Sequence, residues 1–111
     1  MEKDRNKKIE KTKANILEAL LLLLQHKEIN EISIRELTET AHIHRNTFYI
    51  HYTDIYDILA EVEENMCRKV KEMTDGMEPT QLKENLEAVL ESVFEYLYQE
   101  REKCGLIMRY R

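Results

Sequence analysis

Residues that interrupt helices are scarce in this sequence. Its 111 residues include two Gly, one Pro and no Trp, while 42% are hydrophobic and 35% are charged. Because Gly and Pro punctuate turns and loops, this composition is typical of an all-α protein. At this length, one hydrophobic core is expected and a second independent core is not.

Cysteines and long apolar runs are few as well. Cys67 and Cys104 lie far apart with no further Cys near either, which argues against a zinc knuckle, a CxxC redox pair or a disulfide framework. Two reduced thiols are typical of a cytoplasmic protein. The longest apolar run, ALLLLL at 19–24, is too short to cross a bilayer, and the first residues lack the apolar core of a signal peptide. The sequence therefore predicts a cytoplasmic protein that makes no use of a membrane.

Acidic residues outnumber basic ones, 22 against 17, but the excess is uneven. Up to Tyr52 there are nine Lys and Arg against eight Asp and Glu, whereas from Thr53 onward there are eight against fourteen. All four histidines lie in the first part. Since nucleic-acid binding depends on where charge is placed, the acidic total does not exclude a phosphate-bearing partner.

Apolar spacing predicts a first helix from Lys11, with Ile16 and Leu20 in its buried stripe. Ser33 and Glu36 then form a capping-box pattern that opens a short helix over about 34–40. After a three-residue turn, another short helix follows. Neither short helix is long enough to be stable alone, so each must pack on the other and on a larger scaffold.

Thr53 or Asp54 is predicted to cap a longer helix of about five turns. Gly76 and Pro79 indicate a break after it, and a further helix is predicted over about 80–100. The sequence contains no convincing strand and no internal repeat.

The segment HIHRNTFYIHYTD, residues 42–54, contains three of the four histidines and a single acidic residue. A metal site is disfavoured because His42 and His44, two apart, point to different sides of a helix, and no Cys or carboxylate lies at a ligand spacing. Catalysis is disfavoured because there is no nucleophile elbow, Gly-rich phosphate loop or HExxH motif. We therefore predict no enzyme activity, no metal and no cofactor.

The remaining interpretation is a helix-turn-helix, in which one helix braces and the next enters a DNA major groove. With Phe48 and Tyr52 packed inward, the outer face of the second helix presents Arg45, Asn46 and Tyr49. Arg can pair with guanine and Asn with adenine, while hydroxyl groups and His can hold phosphates.

The run ISIRELTETAHIHRNTFYIHYTDIYDIL resembles the helix-turn-helix of the TetR family of transcriptional regulators, whose Thr-Phe-Tyr-x-His-aromatic motif matches residues 47–52. The resemblance implies that Thr47 and Tyr49 contact the DNA backbone or bases, that His51 lies near a phosphate, and that Arg35 reaches DNA from the bracing helix. The full DNA-binding set predicted in this way is Ser33, Arg35, His44, Arg45, Asn46, Thr47, Tyr49 and His51.

The sequence departs from the family pattern at two positions. His42 stands where the family often has Gly in the tight turn, so either this residue accepts an unfavourable backbone conformation or the turn differs. Ile55 stands where the family usually has a phosphate-binding Lys. The N-terminal arm, residues 1–13, has six basic and three acidic residues and would compensate, unless it is a frayed, solvated tail.

In the family, later helices form a ligand pocket and a dimer interface. The resemblance thus implies a DNA-binding domain at 1–53, and at 54–111 a connecting helix with a truncated helical regulatory domain. Candidate ligand contacts are Met66, Met73, Phe94 and Tyr98, since Met and aromatic side chains adapt to apolar ligands. At helical spacing, such residues are more often plain core.

Two hypotheses follow. The first is a homodimeric repressor that binds a double-stranded DNA operator and is released by a small apolar effector. The second is a helical protein-interaction module, whose helix-turn-helix is a relic and whose acidic half binds a protein. The acidic total and Ile55 favour the second slightly, and the outer face with Arg35, Arg45 and Asn46 favours DNA more.

Overall fold

The computed structural model describes residues 2–75 and 78–110, and all regular structure in these two ranges is helical. The all-α fold expected from the sequence is therefore confirmed. The chain forms two compact units, Met1–Ile58 and Leu59–Arg111. No helix in the described ranges is both long enough and apolar enough to cross a membrane.

The first unit contains three α-helices and the start of a fourth. They are α1 (Glu2–Leu23), α2 (Ile34–Ala41), α3 (Arg45–His51) and α4 (Ile55–Thr74), with a 3-10 turn at Ile29–Glu31. The predicted bounds of α2 were correct within a residue. The first helix, however, starts nine residues before the predicted Lys11, because residues 2–10 are mostly Glu, Lys and other helix-compatible residues, with no Gly or Pro.

The core of the first unit is built from one face of each helix. Ile16 and Leu20 of α1, Leu37 of α2 and Phe48 of α3 are all fully buried, and α1 packs directly against α2. The segment at 24–33, between α1 and α2, contributes as well, since both of its isoleucines are buried. Burial of this apolar face stabilises α2 and α3, which are too short to be stable in isolation.

The N-terminus of α2 differs from the predicted capping box in one respect. The Ser33 hydroxyl accepts a hydrogen bond from the Glu36 backbone N–H at 3.0 Å, as predicted. The Glu36 carboxylate instead accepts a hydrogen bond from Lys27 Nζ at 2.5 Å. Glu36 therefore links Lys27, which follows α1, to α2. Of the two capping-box hydrogen bonds, only the one accepted by Ser33 is formed.

The turn between α2 and α3 contains a left-handed residue that is not glycine. His42 has φ 59° and ψ 42°, and it is the only non-glycine residue with positive φ in the described part of the chain. The Ile43 N–H donates to the Thr38 carbonyl at 3.0 Å, which closes the C-terminus of α2. The chain thus keeps the tight turn with a residue that is sterically disfavoured there, the first of the two outcomes considered from the sequence.

Replacing His42 with glycine should raise the free energy of unfolding by about 0.5–1 kcal/mol, because glycine adopts this conformation without a Cβ clash. The matched control is Ala14→Gly, at an exposed position inside α1, which should lower the same free energy by about 1 kcal/mol. Urea unfolding followed by circular dichroism measures both. Equal losses of stability in the two variants would contradict the strain assigned to His42.

The second unit contains the rest of α4 and three further helices, α5 (Pro79–Glu84), α6 (Leu86–Gln99) and α7 (Arg101–Tyr110). The predicted break lies between Thr74 and Pro79, although Gly76 and Met77 lie outside the described residues. The single helix predicted over 80–100 is divided at Asn85. At this residue, φ −109° and ψ 19° depart from helical values while 2.9 Å helical hydrogen bonds continue on both sides.

Candidate nucleic-acid interface

Helices α2 and α3 are joined by a turn of three residues, 42–44, in the arrangement expected of a helix-turn-helix. His44 is the N-cap of α3, and its Nδ1 accepts a hydrogen bond from the Asn46 backbone N–H at 3.1 Å. With Nδ1 acting as acceptor in a neutral ring, the proton sits on Nε2. The His44 side chain is exposed at the start of α3.

The face of α3 that packs inward is defined by Phe48, which is 0% exposed. Its ring centre lies 5.5 Å from that of Tyr49 and 5.6 Å from that of Tyr52. Tyr52 is buried too, and Lys13 Nζ of α1 lies 5.7 Å from the centre of its ring. Phe48 in the middle of α3 and Tyr52 at its C-cap are both buried, which confirms their predicted packing roles.

The outward face of α3 contains the side chains predicted to contact DNA. Arg45 and Asn46 are exposed, and Tyr49 is half exposed with its ring edge against Phe48. Thr47 and His51 are partly buried and lie along one border of this face. A short helix with amide, guanidinium and phenol groups directed to solvent has the donors and acceptors needed at base edges and phosphates.

On the bracing side, Ser33 and Arg35 are exposed at the N-terminus of α2. The Ser33 oxygen already caps α2, and Arg35 Nε donates to Glu39 Oε1 at 3.1 Å. Both residues of this ion pair are well exposed, so its contribution to stability is small. Breaking this ion pair therefore costs the Arg35 guanidinium little free energy when another anion replaces Glu39.

The start of α4 is capped by a cluster of hydrogen bonds. Asp54 Oδ1 accepts from the Asp57 N–H at 3.0 Å, and Asp57 Oδ2 accepts from the Thr53 hydroxyl at 2.5 Å and from the Thr53 N–H at 2.7 Å. The two bonds from Thr53 hold the pKa of the Asp57 carboxyl below its ordinary value of 3.8. Their stabilising effect is present above that ordinary value and is lost as the pH falls through the lowered pKa.

Ile55, the residue that stands in place of the family's Lys, is only 6% exposed. Its side chain is part of the apolar core and not of the outer surface. The position therefore serves packing in this chain. The exposed basic residues of α1 before its buried stripe are Lys3, Arg5, Lys7, Lys8 and Lys11.

The four candidate ligand contacts are in contrasting environments. Met66 is buried and Met73 is partly buried on α4, whereas Phe94 and Tyr98 on α6 are 65% and 69% exposed. A groove of about 350 Å³ lies elsewhere, between α1 and the end of α2. Its lining contains none of the four residues and consists of Asn15, Glu18, Ala19, Leu22, Thr40, Ala41 and His42.

Across the described ranges, no group of three His, Cys, Asp or Glu is arranged to hold a metal ion.

One residue of the outer face was missed in the sequence-based prediction. Ile50 is 75% exposed on α3, beside the polar side chains named above. Its position four residues after Asn46 was the available indication, because residues four apart share a helix face.

Over 57 residues, 51% of this chain, the sequence is 37% identical to the uncharacterized HTH-type transcriptional regulator YxbF of Bacillus subtilis (strain 168). The matched segment spans 15% of that relative's length. No family model matches the chain, and no solved structure matches it.

Proposed function

We propose that this chain is a sequence-specific DNA-binding transcriptional regulator, in which residues 1–53 form the DNA-binding domain and α3 is the recognition helix. The observation that carries the proposal is the contrast across α3. Phe48 is fully buried, while Arg45 and Asn46 are exposed on a helix that packs against α2. The partial likeness to a regulator named for its helix-turn-helix supports the same reading.

In this mechanism, α3 enters the major groove, which is about 12 Å wide and admits an α-helix. The Asn46 amide pairs with adenine N6 and N7, and the Arg45 guanidinium pairs with guanine O6 and N7. Phosphates are held around this centre by hydroxyl, imidazole and guanidinium groups, which set the register of the helix. These positioning residues are Ser33, Arg35, His44, Thr47, Tyr49 and His51.

The TetR resemblance leads to a more detailed proposal. The protein acts as a cytoplasmic homodimeric repressor, and residues 54–111 belong to its ligand and dimerisation domain. Two recognition helices then read half-sites about 34 Å apart. A small apolar effector bound near Met66 and Met73 changes that separation and releases the operator, since a ligand shifts an equilibrium only through unequal affinity for its two states.

A random duplex library tests DNA binding directly. The chain is expected to enrich related sequences, and its affinity should fall steeply with salt because each neutralised phosphate releases counterions. Failure to retain any duplex at about 50 mM salt would refute the proposal for this chain. Sedimentation of the same preparation reports whether it dimerises.

A protein-interaction module is the second candidate, and the surface of α6 favours it. Leu86, Leu90, Phe94 and Tyr98 follow one another at four-residue intervals, and all are exposed. An exposed apolar row of this kind is typical of a contact with another protein. This candidate becomes the better one if the library retains nothing while the chain remains folded.

The N-terminal arm, residues 1–13, offers a test of which residues supply the positive charge that Ile55 does not. Each residue advances about 100° around a helix, so Arg5 lies near the side of Ile16 and Leu20, Lys8 lies at its border, and Lys7 and Lys11 lie opposite. We expect Arg5→Gln with Lys8→Gln to reduce the salt slope of DNA binding by about 1.8, from two lost phosphate contacts.

The charge-matched control is Lys7→Gln with Lys11→Gln, which removes the same charge from the outer side of α1. Its salt slope should stay close to that of the unchanged chain. Fluorescence anisotropy on the selected duplex at a series of salt concentrations measures both slopes. If the two double variants lose the same slope, the arm acts only through net charge and makes no oriented contact.

A further inference from the structure

An isoleucine is directed into solvent from the centre of the proposed recognition surface. Ile50 is 75% exposed, more than Tyr49 beside it, and it lies on a helix of only seven residues. Packing within the first unit does not account for it, since Phe48 of the same helix already fills the core. The apolar side chain of Ile50 is therefore available for contact with a partner outside the unit.

The geometry of α3 makes Ile50 one of its two outermost residues. At about 100° per residue, Asn46 and Ile50 lie about 160° to either side of Phe48, so both point away from the core. Arg45 and Tyr49 are closer to the flank, at about 60° and 100° from Phe48. A helix that enters a groove with Phe48 behind it therefore presents Asn46 and Ile50 deepest.

We propose that Ile50 is a specificity-determining residue that contacts the C5-methyl group of a thymine in the major groove. That methyl is the apolar group exposed on base edges there, and an isoleucine has no hydrogen bond to offer in its place. Cytosine lacks the methyl and presents an N4 amino donor that Ile50 would leave unpaired. The inference rests on the proposed DNA-binding function and adds a base preference to it.

The position of the thymine relative to the base read by Asn46 also follows. Residues four apart are separated by about 6 Å along a helix axis, and successive base pairs by about 3.4 Å. The thymine is thus expected within roughly two base pairs of the adenine paired with Asn46. A selected site should contain an adenine and a thymine at this short, constant spacing.

The test uses the full 111-residue chain and the duplex that it selects from the library. Each thymine is replaced in turn by deoxyuridine, which lacks only the methyl group, and affinities are measured by anisotropy. At one position, the unchanged chain should bind roughly fourfold more weakly, the loss expected for one buried methyl. Ile50→Ala should bind the thymine duplex more weakly and should no longer distinguish thymine from deoxyuridine there.

Ile50→Val serves as the conservative control and should keep most of the thymine preference. Because Ile50 is exposed, all three proteins should have the same thermal midpoint by circular dichroism, so an affinity change is not a folding defect. If the unchanged chain binds but tolerates deoxyuridine everywhere, or if Ile50→Ala keeps the full thymine preference, the role of Ile50 is refuted while DNA binding stands. If no duplex is bound at all, both the inference and the proposed function fail.

Discussion

Phe48→Ala is expected to lower the free energy of unfolding by about 3–5 kcal/mol, the usual cost of removing a fully buried Phe side chain. The reason is specific to this chain. Phe48 is 0% exposed and is the main inward residue of a seven-residue helix that cannot form by itself. Since domains are stable by only about 5–15 kcal/mol, this loss would be a large share of the stability of the first unit.

Urea unfolding by circular dichroism measures this effect, and Ile50→Ala provides the matched control on the same helix. Both changes truncate a large apolar side chain, yet Ile50 is 75% exposed and its loss should stay within about 0.5 kcal/mol. A loss below about 1 kcal/mol for Phe48→Ala would contradict the burial on which the orientation of α3 depends. The outward direction of Arg45 and Asn46 would then lose its support.

Arg45→Ala should reduce affinity for the selected operator by about 1–3 kcal/mol, the discrimination supplied by one good bidentate base contact. The variant should also lose its base preference at one position of the operator, where it should accept other bases. Its preferences at the remaining positions should persist. Arg45 is exposed, so its removal is not expected to disturb the core. Repeating the library selection with the variant measures this loss of preference directly.

His51→Ala is the contrasting variant for that experiment. His51 lies at the border of α3 with its ring centre 6.4 Å from that of Tyr52, and the proposed function makes it a phosphate contact. Its removal should weaken binding to all sequences alike and leave base preferences unchanged. If Arg45→Ala also weakened every sequence equally, Arg45 would be a phosphate contact and not a reader of bases.

Much of the local structure was predictable because its causes are local. The Ser33–Glu36 pattern located the start of α2, and its predicted end was correct within a residue. The cap at Asp54 likewise located the start of α4. The predictions were wrong where two conformations differ little in free energy. These are the helical and the frayed state of a chain end, and the continuous and the kinked state of a helix. At Asn85 the helical hydrogen bonds persist while the dihedral angles change, and apolar spacing does not register such a change.

The candidate site shows the same division at the level of side chains. That Asn46 faces outward followed from the helical period and from Phe48 as the anchor, whereas Arg45, about 60° from Phe48, is exposed at the flank of α3. The capping role of His44 did not follow, because it depends on the direction of Nδ1 toward the Asn46 N–H. The helical period did indicate the outward position of Ile50, four residues after Asn46, although isoleucine is more often buried than exposed.

By itself, the sequence determined the all-α class, the short helices on either side of a tight turn, and the polar character of the surface that α3 presents. Helical period, capping and turn chemistry act over a few residues, so they can be predicted from short stretches of the sequence. Tertiary structure alone decided that His42 takes the left-handed conformation, that Glu36 pairs with Lys27, and that Ile55 is core. These outcomes depend on contacts between side chains from different segments, and such contacts form only when the helices pack.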